Sequence, residues 1–169
     1  MTEEKTTISS VSALKLTRER SRNEVNAFLE SDPVNHKLGG IPGWKAAFGA
    51  RFNSELIAVC VVGRPVARMV DAEKEISITR FGARPDRPSN TGSWLIARSR
   101  LWAYLEGFER ISAHAGVAGN EGTMYAASGF ELVREEEADG TGWDSREERD
   151  TVDDFIRRKW VYDLRDFEI

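Results

Sequence analysis

The chain predicts an α/β (α+β) domain, a mixed sheet covered by helices. Three observations carry this. Residues 56–62 form a continuous apolar run bounded by turn residues, as in a strand buried on both faces. Residues 75–81 alternate, with Ile76 and Ile78 on one face and Ser77 and Thr79 on the other. Residues 94–108 repeat apolar side chains at spacings of three and four, as a helix does. Strands followed by alternating helices and strands imply a mixed sheet with helical layers.

The elements read in order as follows. Residues 1–10 are polar and read as a disordered leader, with a single domain over 11–169. Residues 11–16 alternate weakly and give a first strand. Ser21 with Glu24 three residues on has the capping-box spacing. It starts a helix that buries Val25, Phe28 and Leu29 and stops before Asp32-Pro33. Residues 35–43, with three glycines and a proline, form a loop. The apolar segment 44–52, a turn at Asn53-Ser54 and the strand 56–62 follow. Gly63-Arg64-Pro65 interrupts that strand, which continues or restarts at 66–70. A turn at 71–74 leads to the strand 75–81 and a loop over 84–93. The next helix presents Trp94, Ala97, Leu101, Leu105 and Phe108, with Gly107 as its stop signal. A strand over 111–115, a helix over 120–128 closed by Gly129, a strand over 130–133, an acidic loop over 135–154 and a last strand over 159–164 complete the chain. There are no internal repeats.

Composition bounds the function. The length of 169 residues suits one domain. No apolar run is long enough to span a membrane, and the N-terminus lacks the apolar core of a signal peptide, so the reading is cytoplasmic with no membrane partner. Cys60 is the one cysteine and, among Val59, Val61 and Val62, reads as a buried strand residue. One cysteine and two distant histidines predict no metal site. Net charge is −4, but residues 131–154 hold eleven Asp/Glu against three Arg, a balance of −8 that leaves +4 for the rest. That remainder suits a phosphate-bearing ligand and falls short of a DNA-binding domain.

The most informative stretch is the loop Arg87-Pro88-Ser89-Asn90-Thr91-Gly92-Ser93 between a strand and a helix. A helix N-terminus leaves amide donors free and carries partial positive charge, and small residues let a phosphate reach them. Arg84 and Arg87 add charge. The same pattern also suits an ordinary polar loop and cap.

Strand, loop and helix together resemble the acetyl-CoA motif of the GNAT acyltransferases, Arg/Gln-x-x-Gly-x-Gly/Ala, here Arg87-x-x-Asn90-x-Gly92. Asn90 replaces the first glycine, and Asn accepts left-handed backbone geometry better than most residues. A second signature of that family is similar here: Asn120, a helix, then Tyr125-Ala126-Ala127-Ser128-Gly129-Phe130. The resemblance covers residues 75–133. It implies a mostly antiparallel GNAT-like sheet and an N-acyltransferase using acetyl-CoA or another acyl-CoA. It implies that backbone groups of Phe81, Gly82 and Ala83 bond the pantetheine arm, and that Asn90, Thr91, Gly92 and Ser93, with Arg87 and Asn120 nearby, hold the pyrophosphate end. Tyr125 would protonate the departing thiolate; the alternative is a residue packed on the sheet. The same resemblance puts His36 in the loop that meets the acceptor and Glu75 where several members place a base. A loop cap and a solvated strand end are the respective alternatives. His114 reads as a core or edge residue. A non-catalytic module that keeps the fold for binding is the alternative for the whole chain.

A narrower resemblance covers residues 35–163. Asn35-His36-Lys37, the run from Val61 to Arg68, Ile78-Thr79-Arg80, Gly140-Thr141-Gly142-Trp143 and Lys159-Trp160-Val161-Tyr162 look like the GNAT-like branch that includes the phage Mom DNA-modification proteins. It implies a nucleic-acid amine, with DNA as a partner. Arg64 and Arg68 would then meet acceptor phosphate, or be solvated hairpin ends. Trp143 would stack on a base, or act as a lid on the core.

Overall fold

The computed structural model describes residues 8–32, 34, 41, 43–65, 70–115, 122–138 and 155–166. Seven strands, β1 (Lys15–Arg18), β2 (Ala46–Phe52), β3 (Glu55–Gly63), β4 (Glu75–Ala83), β5 (Arg110–Ala115), β6 (Glu131–Ala138) and β7 (Phe155–Asp163), form one sheet. Their order is β1-β2-β3-β4-β5-β7-β6, antiparallel except for the parallel pair β4–β5. Among the described residues, three α-helices flank the sheet: α1 (Arg22–Glu30), α2 (Thr91–Leu105) and α3 (Thr123–Ala127).

Period-two alternation divides the sheet into two faces. Cys60, Val62, Ile76, Ile78, Ile111 and Ala113 pack beneath α2 with Leu95, Ile96 and Ala103. Val59 and Val61 face the other way, into a smaller core with Val25 and Leu29 of α1. Gly82 lets α1 come close on that face, since a Cβ there would meet the Leu29 and Val34 side chains. The β2–β3 hairpin closes through Asn53 (φ 49°) and Ser54 (φ 68°). Left-handed geometry at both turn residues matches the twist of the paired strands.

The β4–β5 junction positions the site. The two strands pair only from Glu75↔Arg110 to Ile78↔Ala113. At the next residue the β3–β4 register slips, because Val62 pairs with Ile78 and Val61 with Arg80. The extra residue, Thr79, is a bulge on β4, and bulges bend the strand that carries them. Beyond it β4 runs on to Ala83 beside β3 alone, so a cleft opens between β4 and β5.

Several sequence expectations change. Ile8 is buried in the core and Ser10 caps the 3-10 turn Val11–Ala13, so the packed chain begins inside the segment read as a leader. The first strand starts only after that turn. Ser21 caps α1 through the Glu24 amide (3.2 Å), but the Glu24 carboxylate pairs with Arg51 (2.6 Å). The buried face of α2 is Thr91, Leu95, Ile96, Ser99 and Ala103, while Leu101 and Leu105 are exposed. Small residues at 99 and 103 let the helix lie close on β2 and β3, and Ser99 spends its hydroxyl on the Leu95 carbonyl (3.0 Å). The acidic segment begins as strand, not loop: Glu135 and Glu136 lie opposite Arg158 and Arg157, and Arg158 pairs with Glu135 (2.9 Å). Opposed charges across an antiparallel pair stabilise it. Cys60 is fully buried as expected, and burial pushes its thiol up to about 12.

Candidate functional site

The loop after β4 and the start of α2 line a groove of about 400 Å³ with Thr123, Met124 and Ala127 of α3. The loop is built locally. Thr91 donates its hydroxyl to the Pro88 carbonyl (2.7 Å), Ser93 to the Asn90 carbonyl (3.2 Å), and Arg87 reaches back to the Arg84 carbonyl (3.1 Å). Asn90 is the N-cap of α2 in the left-handed region (φ 68°, ψ 9°), and its side chain makes no capping hydrogen bond. Asn90 therefore takes the conformation a glycine would take there, without covering the first-turn amides. Gly92 keeps the wall thin, because a Cβ would run into the Met124 side chain. The groove thus offers backbone amides, small residues and the exposed Arg87, a set that fits a pyrophosphate. Arg84 is committed elsewhere: Asp86 (2.7 Å) and Glu55 (3.3 Å) hold it and raise its pKa, so it adds less phosphate-binding charge than its position suggests.

Tyr125 lies one residue from the groove wall but points inward and is 4% exposed. Its ring packs on Phe130 (5.8 Å between centroids). Burial, with a smaller effect from Cys60, raises the phenol well above its usual value and keeps it protonated. Tyr125 shares its core cluster with Cys60 of β3 and with Phe81, the register partner of Cys60, which lies beyond the last β4–β5 pair. Phe81, Gly82 and Ala83 form the cleft edge of β4 with no β5 partner.

Glu75 is not the solvated strand end of one of its two readings. It opens β4 at the closed end of the β4–β5 pair and is 3% exposed, not solvated. Its carboxylate accepts from Arg110 Nε (3.3 Å), Ser112 Oγ (3.1 Å) and Lys159 Nζ (3.4 Å). These charge-assisted contacts tie β4, β5 and β7 together through Glu75. Arg64 is exposed just past β3, beside the start of β4, at the opposite end of these strands from the groove. His36, Arg68, Asn120 and Trp143 lie outside the described residues. Two residues were missed by sequence reasoning. Met124 faces Gly92 across the groove, and Lys159 comes from a strand far along the chain. Neither has a sequence signal of its own.

No helix of the described residues is long and apolar enough to cross a membrane. Among the described residues no cluster of His, Cys, Asp and Glu could hold a metal ion.

A splayed, mostly antiparallel sheet with a loop and helix N-terminus at the cleft is the fold of the GNAT acetyltransferases. Solved acetyltransferase structures share it. The ribosomal-protein-S18-alanine N-acetyltransferase from Escherichia coli superposes with a TM-score of 0.64 at 10% identity, covering 92% of this chain and 99% of that one. A Bacillus subtilis acetyltransferase in complex with CoA gives 0.58 at 17% identity, covering 86% and 97%. A GNAT family acetyltransferase from Elizabethkingia anophelis with acetyl-CoA bound gives 0.57 at 11% identity, covering 89% and 98%. At these identities the likeness establishes the fold. No family model matches the chain, and no curated protein sequence matches it.

Proposed function

We propose that the chain is an acyl-CoA-dependent N-acyltransferase, with acetyl-CoA as the donor and an amine as the acceptor. One observation carries the reading: past Ile78 and Ala113 β4 loses its β5 partner and runs on toward the loop and groove at the start of α2, where the Asn90 side chain caps none of the first-turn amides and the Thr91 amide alone is turned back to the Pro88 carbonyl (3.4 Å). A long donor with a pyrophosphate at one end and a reactive thioester at the other fits that layout. Amides of Asn90 to Ser93 and the Arg87 side chain hold the phosphates. The unpaired cleft edge at Phe81 to Ala83 bonds the arm as an added strand would. Tyr125, kept protonated by burial, gives its proton to the thiolate that leaves. Solved structures of similar fold that carry CoA or acetyl-CoA support a donor of this class.

The narrower expectation of a DNA base as acceptor is carried by none of the described residues. Arg64 stands away from the groove, and β6 presents Glu131, Glu135 and Glu136, which oppose a phosphate backbone. The test is titration with acetyl-CoA. Saturable binding supports the reading, and no binding at low or high salt overturns it in favour of a module that kept the fold without the donor.

A further inference from the structure

The face of the sheet opposite α2 carries a polar row that the acyl-CoA reading leaves unused. Along β4 it holds Glu75 and Ser77, and along β5 Arg110, Ser112 and His114, because their neighbours Ile76, Ile78, Ile111 and Ala113 face the helix. The row is tied together. Ser112 donates to Glu75 (3.1 Å) and lies 3.2 Å from the Ser77 hydroxyl, and Lys159 of β7 donates to Glu75 (3.4 Å). His114 ends the row. It directly follows Ala113, the last β5 residue paired to β4, so it stands at the mouth of the cleft. It is solvent-accessible, and its register partner is Lys159.

We propose that His114 is the general base that takes the proton from the acceptor amine, with Lys159, held by Glu75, as its positioning residue. The proposal rests on the acyl-CoA reading and adds the side of the sheet from which the acceptor arrives. With α2 and α3 on one face, an acceptor reaches a thioester in the cleft from the other; of the two ionisable β5 side chains on that side, Arg110 is paired with Glu75 at the closed end and His114 stands at the cleft. As the amine nitrogen bonds to the acyl carbon and the carbon–sulfur bond breaks, the imidazole takes the N–H proton and the leaving thiolate takes the phenolic proton of Tyr125. Exchange with solvent then restores both side chains.

The surroundings suit a neutral base. Among the described residues, Lys159 and Arg157 of β7 and Arg134 of β6 face His114 as cations, and Glu75 of β4 opposes them. Desolvation first, then Lys159 and Arg157, hold its pKa below 6.5. A lowered pKa leaves the imidazole unprotonated at neutral pH. Lys159 is thus part of what keeps the base free.

The experiment uses the full chain. It has two histidines, so His36→Gln leaves one imidazole to follow by NMR titration. That imidazole is expected to titrate below 6.5, and Lys159→Met is expected to raise its midpoint. Thiol release from acetyl-CoA, with water as the acceptor, gives the second readout. His114→Gln should slow it by about 10²-fold or more and remove the acid limb of its pH profile, with acetyl-CoA affinity unchanged. A midpoint at 6.5 or above, or a His114→Gln profile equal to the wild type, overturns the proposal. If acetyl-CoA binds and the profile is unchanged, the base alone is wrong. If acetyl-CoA does not bind the wild type, the acyltransferase reading falls with it.

Discussion

Phe130 donates its amide to the Tyr125 carbonyl at 3.0 Å, and the two rings sit 5.8 Å apart. The geometry comes from Gly129, whose φ of 84° reverses the chain after α3 while its own amide bonds the Ala126 carbonyl (3.1 Å). This pair of bonds is the Schellman end of a helix, in which glycine takes the left-handed position at no steric cost. The Tyr-x-x-x-Gly-Phe spacing therefore has a mechanical meaning. The glycine turns the chain so that the phenylalanine pins the tyrosine.

Tyr125→Phe keeps that ring contact and removes only the hydroxyl. Turnover should fall by about 10²–10⁴-fold, with acetyl-CoA affinity nearly unchanged. Steady-state thiol release measures the first and calorimetry the second. Equal turnover would take Tyr125 out of the mechanism. Because burial raises the phenol above its ordinary value of 10, loss of activity at mildly alkaline pH should not come from Tyr125.

Gly92→Glu places a side chain and a negative charge where the groove is thinnest, against Met124. Met124 must shift to admit the new side chain, while a carboxylate in the first turn of a helix is favourable, so the unliganded protein should stay folded with at most a lowered melting temperature. The rise in melting temperature on adding CoA should disappear. A rise equal to the wild type's would move the phosphate site elsewhere.

Glu19 and Arg51 make a stability prediction separate from the site. Glu19 is 6% exposed and accepts two hydrogen bonds from Arg51, at 2.7 and 2.8 Å. The Arg51 bonds lower its pKa below 4.5 despite burial. A depressed acid stabilises the fold fully above its unfolded value, and that contribution is lost as pH falls through the folded value. Arg51→Met leaves the carboxylate with only the Thr17 hydroxyl (2.6 Å) and should cost on the order of 1–3 kcal/mol at pH 7. In urea unfolding the gap to wild type should narrow under acid conditions, where the stranded carboxyl is protonated. A gap independent of pH would contradict the assignment.

The two sides of α2 give a paired test. Ile96→Ala should cost about 2–5 kcal/mol, because the side chain is fully buried beneath the helix. Leu101→Lys and Leu105→Lys should each stay within about 0.5 kcal/mol of wild type. The reverse ranking would restore the face that the spacing suggested.

Much of the sheet was legible because strand patterns are local. The apolar run of β3, the alternation of β4 and the Asn53-Ser54 turn each needed only their own residues. The face of α2 was not, because Trp94, Ala97, Leu101, Leu105 and Phe108 also repeat at helical spacing. What decides is the small pair Ser99 and Ala103, which reads as weakly apolar until a sheet is placed beneath it. Strand β6 was taken partly for a loop because its glutamates acquire partners only when β7 lies alongside. In the site, the loop and Tyr125 could be found because they belong to contiguous motifs. The row Glu75, Ser112, His114 and Lys159 could not, since pairing of distant strands assembles it.

On the proposed function, the groove between the start of α2 and α3 holds the pyrophosphate end of an acyl-CoA. Its most direct test is calorimetric titration of the chain with acetyl-CoA at low and at high salt. Saturable binding is expected in both, weaker at high salt as screening reduces the contribution of Arg87. No heat of binding in either buffer would contradict it, and would leave the cleft and its uncapped helix as remnants of a fold that no longer uses the donor.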